Sequence, residues 1–100
     1  MIKVELTENL NYKFCFKMTE NEKEYFGGLN KEYFISVDDN CPYKEMMLRV
    51  LINKCMNEYI QKISTKDIWN VDLKKFGFKK QDDIYVCGFF DLKLPHDCKC

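Results

Sequence analysis

The sequence contains no alanine, and only one of its sixteen basic residues, Arg49, is not lysine. Lysine, asparagine, isoleucine, phenylalanine and tyrosine are plentiful. Because these residues have AT-rich codons, we interpret the bias as a property of the genome and not of the chemistry. We expect the source to be an AT-rich bacterium, one of its phages or a comparable genome.

Three further shortages narrow the classes of function. The chain has no net charge, with 16 basic and 16 acidic residues, whereas nucleic-acid-binding domains usually carry a basic excess. Its single histidine, His96, lies near the end of the chain, so a serine or cysteine nucleophile would lack a well-held base. No apolar run is long enough to span a membrane, and no secretory leader follows Met1. We therefore expect no direct nucleic-acid partner, no membrane association and a cytoplasmic location.

Motifs of catalysis are also missing. The sequence contains no Walker-type, Rossmann or metalloprotease pattern. The paired acids at 38–39 and 82–83 fall at predicted turns, where turn chemistry accounts for them without a raised pKa. We expect no catalytic residue and no cofactor, and an enzyme is the less favoured class.

Cysteine, by contrast, is well represented. The six cysteines are Cys15, Cys41, Cys55, Cys87, Cys98 and Cys100. They would permit three disulfides in a secreted protein, but the missing leader favours reduced thiols, and Cys55 lies on the apolar stripe of a predicted helix. Cys87, His96, Cys98 and Cys100 offer one nitrogen and three sulfur donors, which zinc accepts, although their spacing is not that of a zinc knuckle. Metal binding and disulfide formation both stay open.

Hydropathy patterning predicts a single α+β domain over residues 1–100, with residues 95–100 as a flexible tail. Residues 2–37 alternate in runs typical of antiparallel strands, with a charged turn at Glu20–Glu24 and a tight turn at Gly27–Gly28. From Tyr43 to Ile63 the apolar period becomes helical.

After the helix the pattern is extended again. Trp69, Val71 and Leu73 alternate, with a short helix from Lys66 as the competing interpretation. A hairpin turning at residues 80–83 follows, and its second strand is predicted to run as far as Leu94. The order is ββββ-α-βββ, an antiparallel sheet of about five to six strands packed against one long helix.

Lys74–Lys80 interleaves basic and aromatic residues, as stacking platforms for single-stranded RNA do. It resembles part of the longer motif of RNA-recognition domains, with matches at Lys74, Phe76, Gly77 and Phe78. A hairpin strand with its phenylalanines inward explains the same pattern, and the zero net charge favours that interpretation. A single-stranded RNA-binding module is our third hypothesis.

A strand ending in Ile35-Ser36-Val37, a long helix, and residues 73–78 ahead of a terminal strand resemble the core of GNAT-type N-acetyltransferases. In that family an Arg/Gln-Gly-x-Gly segment between strand and helix holds the coenzyme A pyrophosphate on bare N–H groups. The matching residues 43–49 contain no glycine and include Glu45, and the family's opening strand and two helices are missing. The resemblance implies a related fold and, as the alternative function, a domain that is degenerate or uses acetyl-CoA.

Our leading hypothesis is a small non-enzymatic protein that acts by protein–protein interaction. Met and Tyr are favoured at contact surfaces, and acidic turns can occupy a basic groove. The residues expected to contact the partner are Asp38, Asp39, Met46, Val50, Glu22 and Glu24. A phage or mobile-element inhibitor of a host nucleic-acid-handling defence enzyme, such as an anti-CRISPR, fits these features, and a homodimer stays open.

Overall fold

The computed structural model describes residues 2–94, so the predicted tail at 95–100 lies outside the described residues. This part of the chain has one α-helix, seven strands and two 3-10 helices. The helix α1 spans Lys44–Asn57, the strands are β1 (Lys3–Thr7), β2 (Tyr12–Glu20), β3 (Lys23–Asn30), β4 (Phe34–Val37), β5 (Lys62–Lys66), β6 (Lys79–Gln81) and β7 (Ile84–Gly88), and the 3-10 helices are Leu73–Phe76 and Phe89–Asp91. The predicted α+β class and the order ββββ-α-βββ are confirmed.

All seven strands form one sheet in the order β1-β2-β3-β4-β5-β7-β6. Neighbouring strands are antiparallel except β4 and β5, which are parallel and pair Phe34 with Ser64 and Ile35 with Thr65. The parallel pair arises because α1 connects these two strands as a crossover. The sheet is therefore mixed and slightly larger than predicted.

The helix α1 packs on one face of the sheet. Its fully buried side chains are Met47, Leu48, Leu51, Ile52 and Cys55. A Cβ atom at Gly27 would lie 2.6 Å from Cγ of Met47, so glycine permits the close approach of helix and strand. The predicted turn at Gly27–Gly28 is wrong, because both glycines lie inside β3. The predicted charged turn is confirmed: the chain turns at Asn21 and Glu22, whose φ angles are 51° and 70°, as in a type I′ hairpin.

The helix ends earlier than the apolar period predicts. Tyr59 adopts a left-handed φ of 55°. Its N–H donates to the carbonyl of Met56, and the N–H of Ile60 donates to the carbonyl of Cys55, which together form a Schellman motif. Ile63, predicted as the last helical residue, is buried in β5.

The segment between β5 and β6 is neither the predicted strand nor a helix from Lys66. It forms a loop that ends in the first 3-10 helix, and the Arg49 guanidinium lies 5.6 Å from the Phe76 ring, so this segment packs beside α1. The predicted hairpin exists, as β6 and β7 around residues 82–83. The second strand stops at Gly88 and does not reach Leu94.

The opposite face of the sheet carries charge along its first three strands. The Lys17 ammonium lies 3.7 Å from a carboxylate oxygen of Glu5 on β1 and 3.6 Å from one of Glu24 on β3. Cross-strand ion pairs of this kind add modestly to sheet stability. They also hold the carboxylate of Glu24 beside the Lys17 ammonium.

We predict that Gly77→Ala lowers the free energy of unfolding by about 2–5 kcal/mol. Gly77 has a φ of 99°, and a Cβ atom there would lie 1.9 Å from the carbonyl oxygen of Asp91. Gly88→Ala is the matched control, since its nearest contact would be 3.8 Å away, and it should change stability by less than about 1 kcal/mol. Denaturant unfolding measures both, and equal effects would contradict the geometry.

Candidate functional site

A crevice opens where the two parallel strands diverge. Their pairing ends at Ile35 and Thr65, although β4 continues to Val37 and β5 to Lys66. The space between them has a volume of about 520 Å³. Crevices at the carboxyl ends of parallel strands are the usual place for ligands in open sheets, so this is the first candidate site.

Backbone groups of Val37 point into this crevice. The N–H of Asp38 donates to the carbonyl of Phe26 on β3, with an N···O distance of 2.9 Å. Because successive residues of a strand direct their backbone groups to alternate sides, the N–H and C=O of Val37 point away from β3. Val37 also lines the crevice. The wall formed by β4 therefore offers one donor and one acceptor to a ligand.

A second groove of about 360 Å³ adjoins the crevice beside the start of α1. Lys44 and Trp69 line both spaces. Trp69 is 78% exposed and Met46 is 41% exposed. Trp69 thus stands at the junction of the crevice and the groove, and Met46 lines the groove only.

The first turn of α1 does not suit an anion. Glu45 lies in this turn, 3.3 Å from the guanidinium of Arg49 and 3.9 Å from the ammonium of Lys75. The Lys44 ammonium donates to the carbonyl oxygen of Cys41 at 2.8 Å. A phosphate at the helix start would face the Glu45 carboxylate, whose charge opposes it.

Acidic residues gather at this end of the sheet. We call it the acidic end and define it as residues 20–24, 38–45, 66–72 and 82–83, which connect strands or follow them. Strand directions place all four segments together: β2, β4, β5 and β6 finish here. The segments carry ten acidic side chains and three basic ones, Lys23, Lys44 and Lys66. A field of this sign attracts cations.

The hydroxyl of Tyr43 ties two of these segments together. It donates to a carboxylate oxygen of Glu20 at 2.8 Å, which links the β2–β3 turn to the start of α1. This hydrogen bond raises the pKa of Tyr43 above its ordinary value. The hydrogen bond therefore joins two of the four segments of the acidic end.

Four of the predicted contact residues are acids at this end. Asp38 has a structural role, because its carboxylate accepts the N–H of Phe26 at 2.8 Å. Asp39 is exposed and lines the crevice. Glu22 is exposed in the β2–β3 turn, and Glu24 is held by Lys17 on the outer sheet face.

The two predicted apolar contact residues lie on α1. Met46 lines the groove. Val50 is half-buried one turn further along the helix. Met46 and Trp69 line the same groove. Sequence reasoning missed Trp69 because it alternates with Val71 and Leu73 as an inward-facing strand residue would.

The basic-aromatic segment Lys74–Lys80 does not present its rings. Phe76 and Phe78 are buried, with exposed fractions of 0% and 2%. Buried rings have no face available for stacking with a base. The burial of these phenylalanines agrees with the inward-facing interpretation, but their predicted place in a hairpin strand is wrong, because Phe76 lies in the first 3-10 helix and Phe78 precedes β6.

The described cysteines are buried and free: Cys15, Cys41, Cys55 and Cys87. Burial raises the pKa of Cys55 to about 12 and that of Cys87 to about 11, with Asp91 adding to the second effect. Thiols that stay protonated are poor nucleophiles and poor metal ligands. Within residues 2–94 no group of His, Cys, Asp and Glu side chains forms a metal site. His96, Cys98 and Cys100 of the proposed zinc set lie outside the described residues.

We predict that the stability of the protein falls above pH 9 partly through Cys55. The folded thiol has a pKa of about 12 against an ordinary value of 9.0, so its contribution is complete below pH 9 and is lost as the pH rises toward 12. Between pH 9 and 11 the unfolding free energy of Cys55→Ala should fall less steeply than that of the wild type, by up to about 1.4 kcal/mol per pH unit. Denaturant unfolding across this range measures it, and parallel curves would contradict it.

Comparisons with known proteins found no match for this chain. No protein-family model, curated protein or solved structure matches the sequence or the fold. The described helix is too short and too polar to cross a membrane. The proposed function therefore rests on the geometry of the acidic end.

Proposed function

We propose that this chain is a non-enzymatic binding protein whose acidic end contacts a basic surface on a protein partner. The observation that carries the proposal is the excess of acidic side chains, ten against three basic ones, in residues 20–24, 38–45, 66–72 and 82–83 around exposed Trp69. Two of the ten, Glu24 and Glu45, are paired with cations outside these segments, which leaves eight. Complementary charge steers association and favours the correct partner. Because the whole chain has no net charge, this excess is a local feature.

Apolar anchors support the same proposal. Binding energy in protein interfaces concentrates in a few residues, among which tryptophan is enriched, and methionine adapts to irregular surfaces. Trp69 and Met46 stand together at the groove with much of their surface exposed. A partner would bury these two side chains while its cations approach the surrounding carboxylates.

An inhibitor encoded by a phage or a mobile element is the version we favour. Enzymes that handle nucleic acids bind phosphates in basic grooves, and the acidic end presents charge of the same sign. The small size and the AT-rich codon bias of the chain agree with such a source. The proposal places the protein in the cytoplasm, where buried cysteines stay reduced.

An acetyltransferase-like core is part of the proposal. The parallel pair β4–β5 joined by α1, with its diverging ends, supports the resemblance to GNAT-type enzymes. Coenzyme A itself does not fit the residues present. Glu45 occupies the helix start, and acidic residues surround the crevice that a polyanionic ligand would have to enter.

We predict that charge reversal at Asp39 and Asp67 abolishes partner capture. The variant Asp39→Lys/Asp67→Lys removes two exposed acids of the acidic end. Glu8→Lys/Glu32→Lys makes the same change in net charge in exposed turns at the other end of the sheet. Immobilised proteins are exposed to host lysate at low and high salt, and bound protein is quantified by mass spectrometry.

Wild type and the Glu8/Glu32 variant should retain one salt-sensitive partner, and the Asp39/Asp67 variant should lose it. Trp69→Ala should weaken the same complex by about 2 kcal/mol, roughly thirtyfold. Equal retention by both charge variants would contradict the proposal.

Acetyl-CoA at millimolar concentration should leave the melting temperature unchanged. A ligand that binds the native state at a hundred times its Kd adds about 2.7 kcal/mol of stability, which amounts to several degrees. A rise of that size, accompanied by a change in the fluorescence of the single tryptophan, would instead support the acetyltransferase alternative.

A further inference from the structure

We infer that the crevice between β4 and β5 takes an extended basic segment of the partner, which pairs with the backbone of Val37 as an added strand. This inference rests on the proposed function and names the chemistry of the segment that is bound. It concerns the crevice, whereas the proposed function requires only the surrounding charge and Trp69.

The first support is that the pairing of β4 with β5 stops before β4 ends. Pairing between β4 and β5 stops at Ile35 and Thr65, and β4 extends two residues further to Val37. The N–H and C=O of Val37 point into the crevice, as the hydrogen bond from Asp38 to β3 requires. A strand that ends beside open space with unpaired polar groups is a template for another extended chain.

The second support is the apolar lining. Successive side chains of an extended peptide point to opposite faces. On the side of α1 the crevice presents Ile68, which is 9% exposed, and on its rim it presents Trp69. One parity of an added strand would therefore meet apolar surface, and the other would face solvent and the charged rim.

The third support is charge. The exposed carboxylates Asp39 and Asp67 line the crevice. Lys44 and Lys66 line it too, so the charges of the lining itself balance, and the negative excess lies in the other residues of the acidic end around the crevice. Since the acidic end carries a large excess of negative charge, a segment that alternates apolar residues with lysine or arginine fits the crevice best.

A synthetic peptide of about nine residues that alternates valine and lysine tests the inference. Trp69 is the single tryptophan of the chain, so its emission reports occupation of the crevice without a label. We expect a saturable blue shift at low salt that weakens as salt increases. The absence of any shift would overturn the inference.

Two N-methylated peptides test backbone pairing directly. One carries methyl groups on the amides of its valines, and the other on the amides of its lysines. Because an added strand bonds to β4 through one parity alone, one of these peptides should bind at least tenfold more weakly and the other about as well as the parent. Equal affinity for the two would overturn strand addition.

Val37→Pro removes the donor on the protein side. The N–H of Val37 points away from β3, so proline there leaves the β3–β4 bonds in place. We expect at least tenfold weaker peptide binding with a melting temperature close to that of the wild type. If Val37→Pro lowers the melting temperature strongly, the methylated peptides decide the question without a protein variant.

The outcomes separate the two proposals. If the Asp39/Asp67 variant loses the partner and both methylated peptides bind equally, the proposed function holds and strand addition is wrong. If the methylated peptides differ but the Asp39/Asp67 variant still captures the partner, strand addition holds and the charge-based function is wrong.

Discussion

The packing of α1 across the sheet is the constraint on which the rest of the structure depends. Met47 fits over Gly27, and this contact fixes the height and direction of the helix. Because α1 runs back along the sheet, the chain enters β5 at the end where β4 began, and β5 is parallel to β4. The crevice follows from this crossover, since the connections after the two strands leave the same end of the sheet in different directions.

The charge around the start of α1 and the topology of the sheet favour different kinds of ligand. The acetyltransferase-like core that the sequence suggested would imply an anionic coenzyme at the start of the helix. This chain places Glu45 there, and the loops around it are acidic. Charge acts over several ångströms, so carboxylates in these loops would repel a phosphate placed among them. The proposed function accordingly takes the partner to be cationic.

Most of the fold could be predicted from the periodicity of apolar residues within single segments. Alternating strands, one amphipathic helix and a C-terminal hairpin follow from patterns within single segments. The end of the helix could not be predicted from such a pattern, because Ile63 continues the apolar period and only the left-handed turn at Tyr59 interrupts it. The turn predicted at Gly27 was wrong for a related reason. Glycine favours turns, but here it accommodates Met47, which lies in a distant segment of the chain.

The candidate site was predictable only in part. Turn chemistry identified Asp39 and Glu22 as exposed acids, while their shared location depends on strand directions that no local pattern contains. Trp69 was missed because its exposure is decided by the loop around it, where Asn70 adopts a φ of 68°. Long-range geometry, in both cases, assembled residues that look ordinary in sequence.

The turns of this protein keep side chains where many proteins use glycine. Within residues 2–94, six residues other than glycine have left-handed φ angles, among them Glu22 and Tyr59, and for residues other than Asn and Asp such a conformation costs roughly 1–2 kcal/mol. The glycines of β3 stand where helix and ring packing require them. The fold therefore accommodates these backbone conformations in most of its described connections, and the packing of the core sets the strand register.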